Sequence, residues 1–252
     1  MKTAILVSIR EKSTRFPGKV LKEFHGQSVT EHLIDRVKSV GNADKVIIAT
    51  SDDPRDQVFS EMAIKKNIDI YYGSQEDKLL RYLQIAREYS MDAVVIVDGD
   101  DILCFPEVIS KTIDVLSQGK YDVVFWNKLP LGAASSGLTV KALERVIELK
   151  DEIDTEVWGG YFTDGNFSVL RNDITEPLFQ HPEIRLTLDY KEDYDFFEKI
   201  FDRLYTSDKI FSSIELMNLL VNVEPKLNII NQEAQIKYES HLKKAKPVKF
   251  KE

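Results

Sequence analysis

The strongest strand signal in the chain is the run Ala93-Val94-Val95-Ile96-Val97, and the acidic turn Asp98-Gly99-Asp100-Asp101 follows it directly. An uninterrupted apolar run rich in β-branched residues predicts a strand that is buried on both faces. Three carboxylates within four residues repel one another unless a cation or hydrogen bonds compensate their charge. The two stretches together predict a buried strand with a charged binding site at its carboxyl end.

Four other apolar runs predict strands, and helical patterns separate them. The strands are predicted at residues 4–9, 46–49, 68–72 and 122–126, and the helices begin near Val29, Pro54, Leu79 and Pro106. This alternation predicts an α/β protein with a mostly parallel twisted sheet and helices on both faces. Ligands of such sheets bind beyond the carboxyl ends of the strands. The candidate site therefore comprises the loops at residues 10–19, 50–54, 73–77 and 98–105.

The second half of the chain is less regular. It is predicted to contain a small-residue loop at 132–137, a strand at 184–188 and helices at 143–149, 190–204 and 214–221. No clean boundary divides it from the first half, so we predict one domain over residues 1–242, with a nucleotide-binding half (1–126) and an acceptor-binding and dimerisation half (127–242). Residues 243–252 are rich in lysine and are predicted to form a mobile basic tail.

Composition excludes several classes of protein. The 252 residues carry a formal net charge of −8, whereas a dedicated nucleic-acid binder usually carries a basic excess. No apolar run reaches the roughly 18 to 20 residues of a membrane helix. Cys104 is the single cysteine, so the chain cannot form an internal disulfide and is expected in the cytoplasm. We therefore expect neither a nucleic-acid partner nor a membrane partner.

The loop after the first predicted strand is the clearest candidate for phosphate binding. Between Ser8 and Lys19 it contains Arg10, Lys12 and Arg15, together with the hydroxyls of Ser13 and Thr14 and a glycine. Guanidinium groups, an ammonium and hydroxyls are the groups that bind a polyphosphate. The loop matches neither GxxxxGK[ST] nor GxGxxG, so it is neither a P-loop nor a dinucleotide fingerprint. Its place after a strand favours phosphate binding over a solvated basic loop.

Two acidic positions are candidate metal ligands. The turn at residues 98–101 could hold Mg²⁺, which favours one or two carboxylates plus substrate phosphates; the alternative is an acidic turn that caps the helix at Pro106. Asp189 lies where a strand pattern yields to a helix pattern. Alone, it is interpreted as a helix N-cap with Glu192 completing a capping box, rather than as a ligand.

At this point four motifs resemble a known family. The stretch Ser13-Thr14-Arg15-Phe16-Pro17-Gly18-Lys19 resembles the S-T-R-L-P-G-K signature of cytidylyltransferases that activate sugars and sugar acids, including 3-deoxy-manno-octulosonate cytidylyltransferase. The spore-coat polysaccharide biosynthesis branch is the nearer match. Residues 73–82 are similar to its G-S-E-E-D-V-L-D-R-Y, residues 97–107 to its strand–x–G-D–x–x–L–x–x–P-E segment, and residues 185–193 to its R-L-T-V-D-x-P-E-D.

The resemblance implies a glycosyltransferase-A-like nucleotidyltransferase fold that binds CTP over the first loop. It matches Asp100 and Asp189 to the two carboxylates that hold Mg²⁺, which changes the interpretation of Asp189 from cap to ligand. The catalytic set becomes Arg10, Lys19, Asp100 and Asp189. The residues assigned to the nucleotide are Ser8, Arg10, Ser13, Arg15, Lys19, Ser74, Arg81 and Asp98.

The implied reaction is in-line attack of an acceptor oxygen on the α-phosphorus of CTP, with loss of pyrophosphate. Magnesium would neutralise phosphate charge, and Arg10, Arg15 and Lys19 would stabilise the departing pyrophosphate. An acceptor carboxylate or phosphate needs little deprotonation, so we assign no general base. The acceptor would be a sugar acid or another small molecule bearing an acid or phosphate, in surface polysaccharide or glycoconjugate biosynthesis. Homodimers are common in the resembled family, so a homodimer is expected.

The chain departs from the branch mainly in its second half. The branch's acidic G-L-D-V-E-V is replaced near residues 132–137, and its R-E-H-V-T near residues 154–158. Its Cys-Pro pair after Gly-Asp is Asp101-Ile102 here, and Asp98 is added before the glycine. The nucleotide half is thus kept and the acceptor half rewritten, which leaves the identity of the acceptor open.

Three other functions compete with this interpretation. A metal-dependent glycosyltransferase would have the same fold and could use Asp98-Gly99-Asp100 as a D-x-D motif, but a nucleotide-sugar diphosphate does not require so many cations in the first loop. A haloacid-dehalogenase-type phosphatase usually carries its D-x-D-x motif on the first strand, not the fourth. A non-catalytic nucleotide sensor would leave the retention of both metal positions unexplained.

Overall fold

The computed structural model describes residues 1–162, 165–242 and 248–251, without the side chains of residues 241 and 242. Within these residues, seven strands form one sheet in the order β5-β4-β1-β6-β8-β7-β9. The strands are β1 (Thr3–Ser8), β4 (Lys45–Ser51), β5 (Asp69–Gly73), β6 (Ala93–Asp98), β7 (Val123–Asn127), β8 (Ser136–Thr139) and β9 (Val169–Asp173). A separate antiparallel hairpin pairs β2 (Glu23–Phe24) with β3 (Gln27–Ser28).

The sheet is mostly parallel, as the sequence predicts. Strands β5, β4, β1 and β6 run parallel to one another, and β9 runs parallel to β7. Strand β8 alone among the described strands of this sheet is antiparallel to both of its neighbours, β6 and β7. Because β1 and β6 are adjacent and parallel, Ser8 and Asp98 lie side by side at one edge. The first loop and the acidic turn therefore start from the same place.

Helices cover both faces of the sheet. They are α1 (Val29–Lys38), α2 (Phe59–Lys66), α3 (Lys78–Glu88), α4 (Pro106–Ser117), α5 (Val140–Leu149), α6 (Lys191–Leu204), α7 (Ser213–Asn218) and α8 (Gln232–Leu242). Residues of β1 alternate between two hydrophobic cores, with Ile5 in one and Leu6 in the other. The first core contains residues of α1, α4 and α6, and the second contains residues of α3 and α5. Both faces of the central strands are buried, which is why those strands are apolar throughout.

Two predictions about the second half are wrong. Residues 132–137 do not all form a loop, because Ser136 and Gly137 begin β8. A Cβ atom on Gly137 would lie 2.6 Å from Cγ2 of Thr112, so the small residue allows α4 to pack against the strand rather than marking a turn. Residues 184–188 do not form a sheet strand; they are extended and make a single bridge, between Arg185 and Leu131.

The prediction of a mobile tail over residues 243–252 is wrong for its described part. Lys251 N donates to the carbonyl of Leu149 at 2.8 Å, and Asp151 N donates to the carbonyl of Lys249 at 3.0 Å. The ring of Phe250 packs against Tyr161. Residues 243–247 and 252 lie outside the described residues. No helix within the described part of the chain has the length and apolar character needed to cross a bilayer.

Candidate active site

A cavity of about 530 Å³ lies at the carboxyl ends of β1 and β6. Its walls come from the first loop, the acidic turn, the start of α3, the segments near Gly132 and Thr187, and α8. Predicted site residues that line it are Ser8, Arg10, Ser13, Arg15, Lys19, Arg81, Asp98, Asp100 and Asp189. The fold thus brings together residues from both halves of the sequence.

Lys19 and two carboxylates form a compact charged cluster in the cavity. Lys19 Nζ lies 2.9 Å from Oδ2 of Asp100 and 3.1 Å from Oδ1 of Asp189, and it donates to the carbonyl of Leu188 at 2.5 Å. Burial alone would lower the pKa of Lys19, but the two carboxylates outweigh burial and raise it. In this structure the ammonium of Lys19 neutralises the two predicted metal ligands, and Lys19 also lines the cavity.

Asp189 is held by a second layer of charges. Arg15 Nη2 lies 2.6 Å from its Oδ1, and Arg185 Nη2 lies 3.0 Å from its Oδ2. Arg185 Nε also contacts Asp193 at 2.8 Å. Asp193 accepts from the backbone N–H groups of Asp189 and Tyr190, so it caps the start of α6. The capping interpretation of Asp189 is therefore wrong, and its carboxylate faces the cavity.

Two glycines allow the loops of the site to meet. A Cβ on Gly99 would lie 2.5 Å from Cγ1 of Ile9, while its N–H donates to the carbonyl of Ser8 at 2.8 Å. Gly132 has φ +92°, and a Cβ there would lie 2.6 Å from the carbonyl carbon of Leu186. Neither close approach is open to a residue with a side chain.

A second group of charges lies on the α3 side of the cavity. Arg10 Nη2 contacts Glu156 Oε2 at 2.5 Å, and Arg10 Nη1 donates to the carbonyl of Gln75 at 2.8 Å. Lys78 Nζ lies 3.1 Å from Glu156 Oε1 and 3.6 Å from Asp98 Oδ1. Arg10, Arg15 and Lys19 of the first loop thus each have an ion-pair partner within the protein.

Ser74 does not reach the cavity, although it was predicted to contact the nucleotide. Its hydroxyl accepts from the N–H of Asp77 at 3.0 Å, and its carbonyl accepts from Arg81 at 2.7 Å. Asp77 in turn accepts from Leu80 N and caps α3. Ser74 therefore shapes the turn that begins α3, and Asp77 is the cap residue.

Several lining residues were missed by the sequence analysis as site residues. They are Lys78, Thr187 and Tyr238, and Glu156 was left without a role. Lys78 carried a usable signal, because a cation in the first turn of a helix is unfavourable unless an anion faces it. Tyr238 carried none, since it lies on α8, outside every resembled motif.

The carboxylates of the cavity fit a divalent cation. Asp98 Oδ1 is buried without a hydrogen-bond partner, and the ammonium of Lys19 already lies between Asp100 and Asp189 as a cation would. Within the described residues no three His, Cys, Asp or Glu side chains are arranged to hold an ion unaided. Mg²⁺ takes one or two carboxylates from a protein when phosphates and water complete its shell.

A mostly parallel sheet with a cation-rich loop after the first strand and two carboxylates facing that loop is typical of the glycosyltransferase-A-like nucleotidyltransferase class. Comparison with known proteins gives the family. The chain belongs to the cytidylyltransferase family, whose model matches residues 4–239. It is therefore a CTP-dependent nucleotidyltransferase, and the glycosyltransferase and phosphatase interpretations are set aside.

Individual relatives agree with this assignment. The spore coat polysaccharide biosynthesis protein SpsF of Bacillus subtilis is 25% identical over 224 residues, which cover 85% of this chain and 92% of that protein. A cytidylyltransferase structure from Leptospira borgpetersenii has a TM-score of 0.81 at 22% identity, covering 90% of this chain and 96% of that one. A CMP:2-keto-3-deoxy-manno-octonic acid synthetase in complex with CTP has a TM-score of 0.63 at 12% identity, covering 81% and 99%. Both structures have the same fold as this chain.

Proposed function

We propose that this protein transfers CMP from CTP to a sugar acid, or to another acceptor that carries a carboxylate or phosphate, and releases pyrophosphate. The observation that carries this proposal is the meeting of Asp100 and Asp189 on one ammonium, beside the cations of the first loop. The SpsF relative supports a role in surface polysaccharide or glycoconjugate biosynthesis. The resemblance to a CTP-bound synthetase supports CTP as the donor.

Asp100 and Asp189 are the residues that would hold Mg²⁺. When bound, the ion supplies positive charge that neutralises the phosphates. Lys19 now provides that compensation with a single charge, and its nearness to both carboxylates supports a cation position between them. We assign Mg²⁺ rather than a softer metal because the available ligands are carboxylate oxygens.

The cations of the first loop would bind and orient the triphosphate. Arg10, Arg15 and Lys19 all line the cavity, and Arg10 and Arg15 each keep part of the side chain exposed. Guanidinium groups bind phosphate oxygens through paired donors, so these residues would hold the β- and γ-phosphates as they leave. Ser8 and Ser13 add hydroxyls to the same wall.

The acceptor would enter from the side of Gly132, Thr187 and Tyr238. These residues line the cavity and come from the half of the chain that departs from the resembled branch. The pKa of Asp101, which also lies here, is raised well above its usual value by burial and by the neighbouring Asp100 and Asp98. A raised pKa lessens the repulsion that this carboxyl group would exert on an anionic acceptor.

Assembly and location are part of the proposal. Large apolar side chains are exposed along the last third of the described chain, at Ile210, Ile214, Val223, Ile229 and Ile236. Such surface supports a two-fold homodimer, for which sedimentation of the whole chain would give twice 29.0 kDa. A mass of 29.0 kDa at micromolar concentration would contradict the dimer. A single buried free cysteine, Cys104, supports the cytoplasm as the location.

Pyrophosphate release tests the proposed reaction. Each nucleoside triphosphate would be incubated with Mg²⁺ and a panel of sugar acids, sugar phosphates and phosphonates. We expect release with CTP and with no other triphosphate, and only when an acceptor is present. A preference for another triphosphate, or release that ignores every acceptor, would contradict the proposal. CTP binding without release across the whole panel would instead favour a nucleotide sensor.

A further inference from the structure

The carboxylate of Glu156 lies between two cations of the cavity. It contacts Arg10 Nη2 at 2.5 Å through one oxygen and Lys78 Nζ at 3.1 Å through the other. The Glu156 side chain is 52% exposed, whereas that of Lys78 is 11% exposed. Burial would raise the pKa of Glu156, but Lys78 and Arg10 outweigh it and lower the pKa. The two cations thus hold an anion at a place that solvent and ligands reach.

The segment that carries Glu156 is fixed by a buried network. Thr155 is fully buried; its N–H donates to the carbonyl of Glu76 at 3.1 Å and its hydroxyl to Asp77 Oδ1 at 3.1 Å. Lys150 Nζ contacts the other oxygen of Asp77 at 2.6 Å. The cap of α3 therefore determines where this segment lies, and Glu156 is part of the built site rather than of a free loop.

The position of Lys78 in α3 is electrostatically unfavourable for a cation. It is the first residue of α3, directly after the cap Asp77, so its charge lies at the positive end of the helix dipole. One turn further on, Arg81 also lines the cavity and is fully buried, yet its Nε and Nη2 have no hydrogen-bond partner. This wall therefore has more positive charge than Glu156 and Asp98 compensate, which is the condition for binding an anionic ligand.

We propose that Lys78 is a further triphosphate-binding residue and that Glu156 occupies the place of a phosphate oxygen until CTP displaces it. The inference rests on the proposed function, which assigns Arg10 to the triphosphate. The Arg10 guanidinium already holds Glu156, so an oxyanion that takes its place on Arg10 comes within reach of Lys78 as well. A carboxylate held by an Arg and a Lys has the charge and the acceptor atoms of a phosphate edge.

Equilibrium binding of CTP, pyrophosphate and cytidine to the whole chain with Mg²⁺ tests Lys78. Lys78→Met should weaken the binding of CTP and of pyrophosphate about tenfold or more, because a charge-assisted hydrogen bond is lost. The affinity for cytidine should change by no more than about twofold. Lys78→Arg should recover most of the loss. Lys45→Met is the matched control, since Lys45 pairs with Asp69 at the amino-terminal edge of the sheet. Unchanged CTP binding in Lys78→Met, or an equal loss for cytidine, would overturn the role of Lys78.

Glu156→Gln tests the displacement. Removing the competing charge should tighten CTP about three- to tenfold, with cytidine unchanged, while thermal unfolding confirms that the variant is folded. Weaker CTP binding would mean that Glu156 contacts the substrate directly and would overturn the proposal. Binding of CTP to the wild type distinguishes failure of this inference from failure of the proposed function. If it binds CTP and neither variant changes the affinity, this inference fails alone; if it does not bind CTP, the proposed function fails with it.

Discussion

Lys19 Nζ compensates two carboxylates at once, those of Asp100 and Asp189, at 2.9 and 3.1 Å. Asp189 keeps Arg15 and Arg185 as partners, but its side chain is only 2% exposed, so loss of the ammonium still removes one of the cations that compensate a buried charge. Lys19→Met should lower the free energy of unfolding by about 3 kcal/mol. Mg²⁺ should raise the melting temperature of this variant more than that of the wild type, because the ion restores the missing charge. Equal magnesium shifts in both proteins would contradict a cation position between these carboxylates.

Asp100 is the residue whose replacement tests catalysis most simply. Asp100→Asn keeps the shape of the side chain and removes its charge, so the fold should persist while turnover falls by at least about a hundredfold. Circular dichroism checks the fold and pyrophosphate release checks turnover. Asp173→Asn is a matched control, because Asp173 pairs with Lys128 on the surface. Full activity of Asp100→Asn with Mg²⁺ would remove Asp100 from the mechanism.

Single residues also show where sequence-based prediction ends. The first loop, Asp100 and Asp189 could be predicted because their motifs are local and recognisable in the sequence. The pairing of Lys19 with the two carboxylates could not, since it depends on where residues 184–189 run relative to the first loop. The partners of Glu156, Arg10 and Lys78, lie far from it in the sequence, and the packing of Thr155 against α3 brings Glu156 to them.

At the scale of elements, the approach of two segments at Gly132 determines the acceptor side. Gly132→Ala would force a side chain onto a φ of +92° and against the Leu186 carbonyl carbon, 2.6 Å away. The variant should lose about 1–3 kcal/mol of stability. Turnover should fall at least about tenfold, because Thr187 and Asp189 come shortly after Leu186 in the chain and would be displaced with it. Gly41→Ala is the control, because nothing lies within 4 Å of its Cβ and its φ is not positive. A Gly132→Ala variant as stable and active as Gly41→Ala would contradict this account.

Strands could be predicted where the apolar run in the sequence is continuous. The prediction was wrong where packing against other elements determines the structure. The apolar runs of β1, β4, β5, β6 and β7 are confirmed, because strands covered on both faces require apolar residues throughout. The loop predicted at residues 132–137 overlaps the start of β8, where the small residue Gly137 allows α4 to approach the strand. Residues 184–188 have a strand-like pattern, but they are buried outside the sheet, where Leu188 N donates to the carbonyl of Asp100.

At the scale of the whole molecule, one cavity joins segments from the first loop to α8. A ligand bound between them stabilises the folded state by RT ln(1 + c/Kd), where c is its free concentration. CTP with Mg²⁺ at about one hundred times its Kd should therefore raise the melting temperature by roughly 5–10 °C. Without Mg²⁺ the shift should be smaller, because the phosphates lose a counterion. A larger shift with UTP than with CTP would contradict the assignment of the base.

The fate of the phosphates tests the central claim most directly. CTP labelled with ³²P at either the α or the γ position would be incubated with Mg²⁺ and the acceptor that supports turnover. Cytidylyl transfer predicts that the α label enters the acceptor product and that the γ label appears only in pyrophosphate. An α label released as free CMP, or a γ label transferred to the acceptor or released directly as orthophosphate, would contradict it.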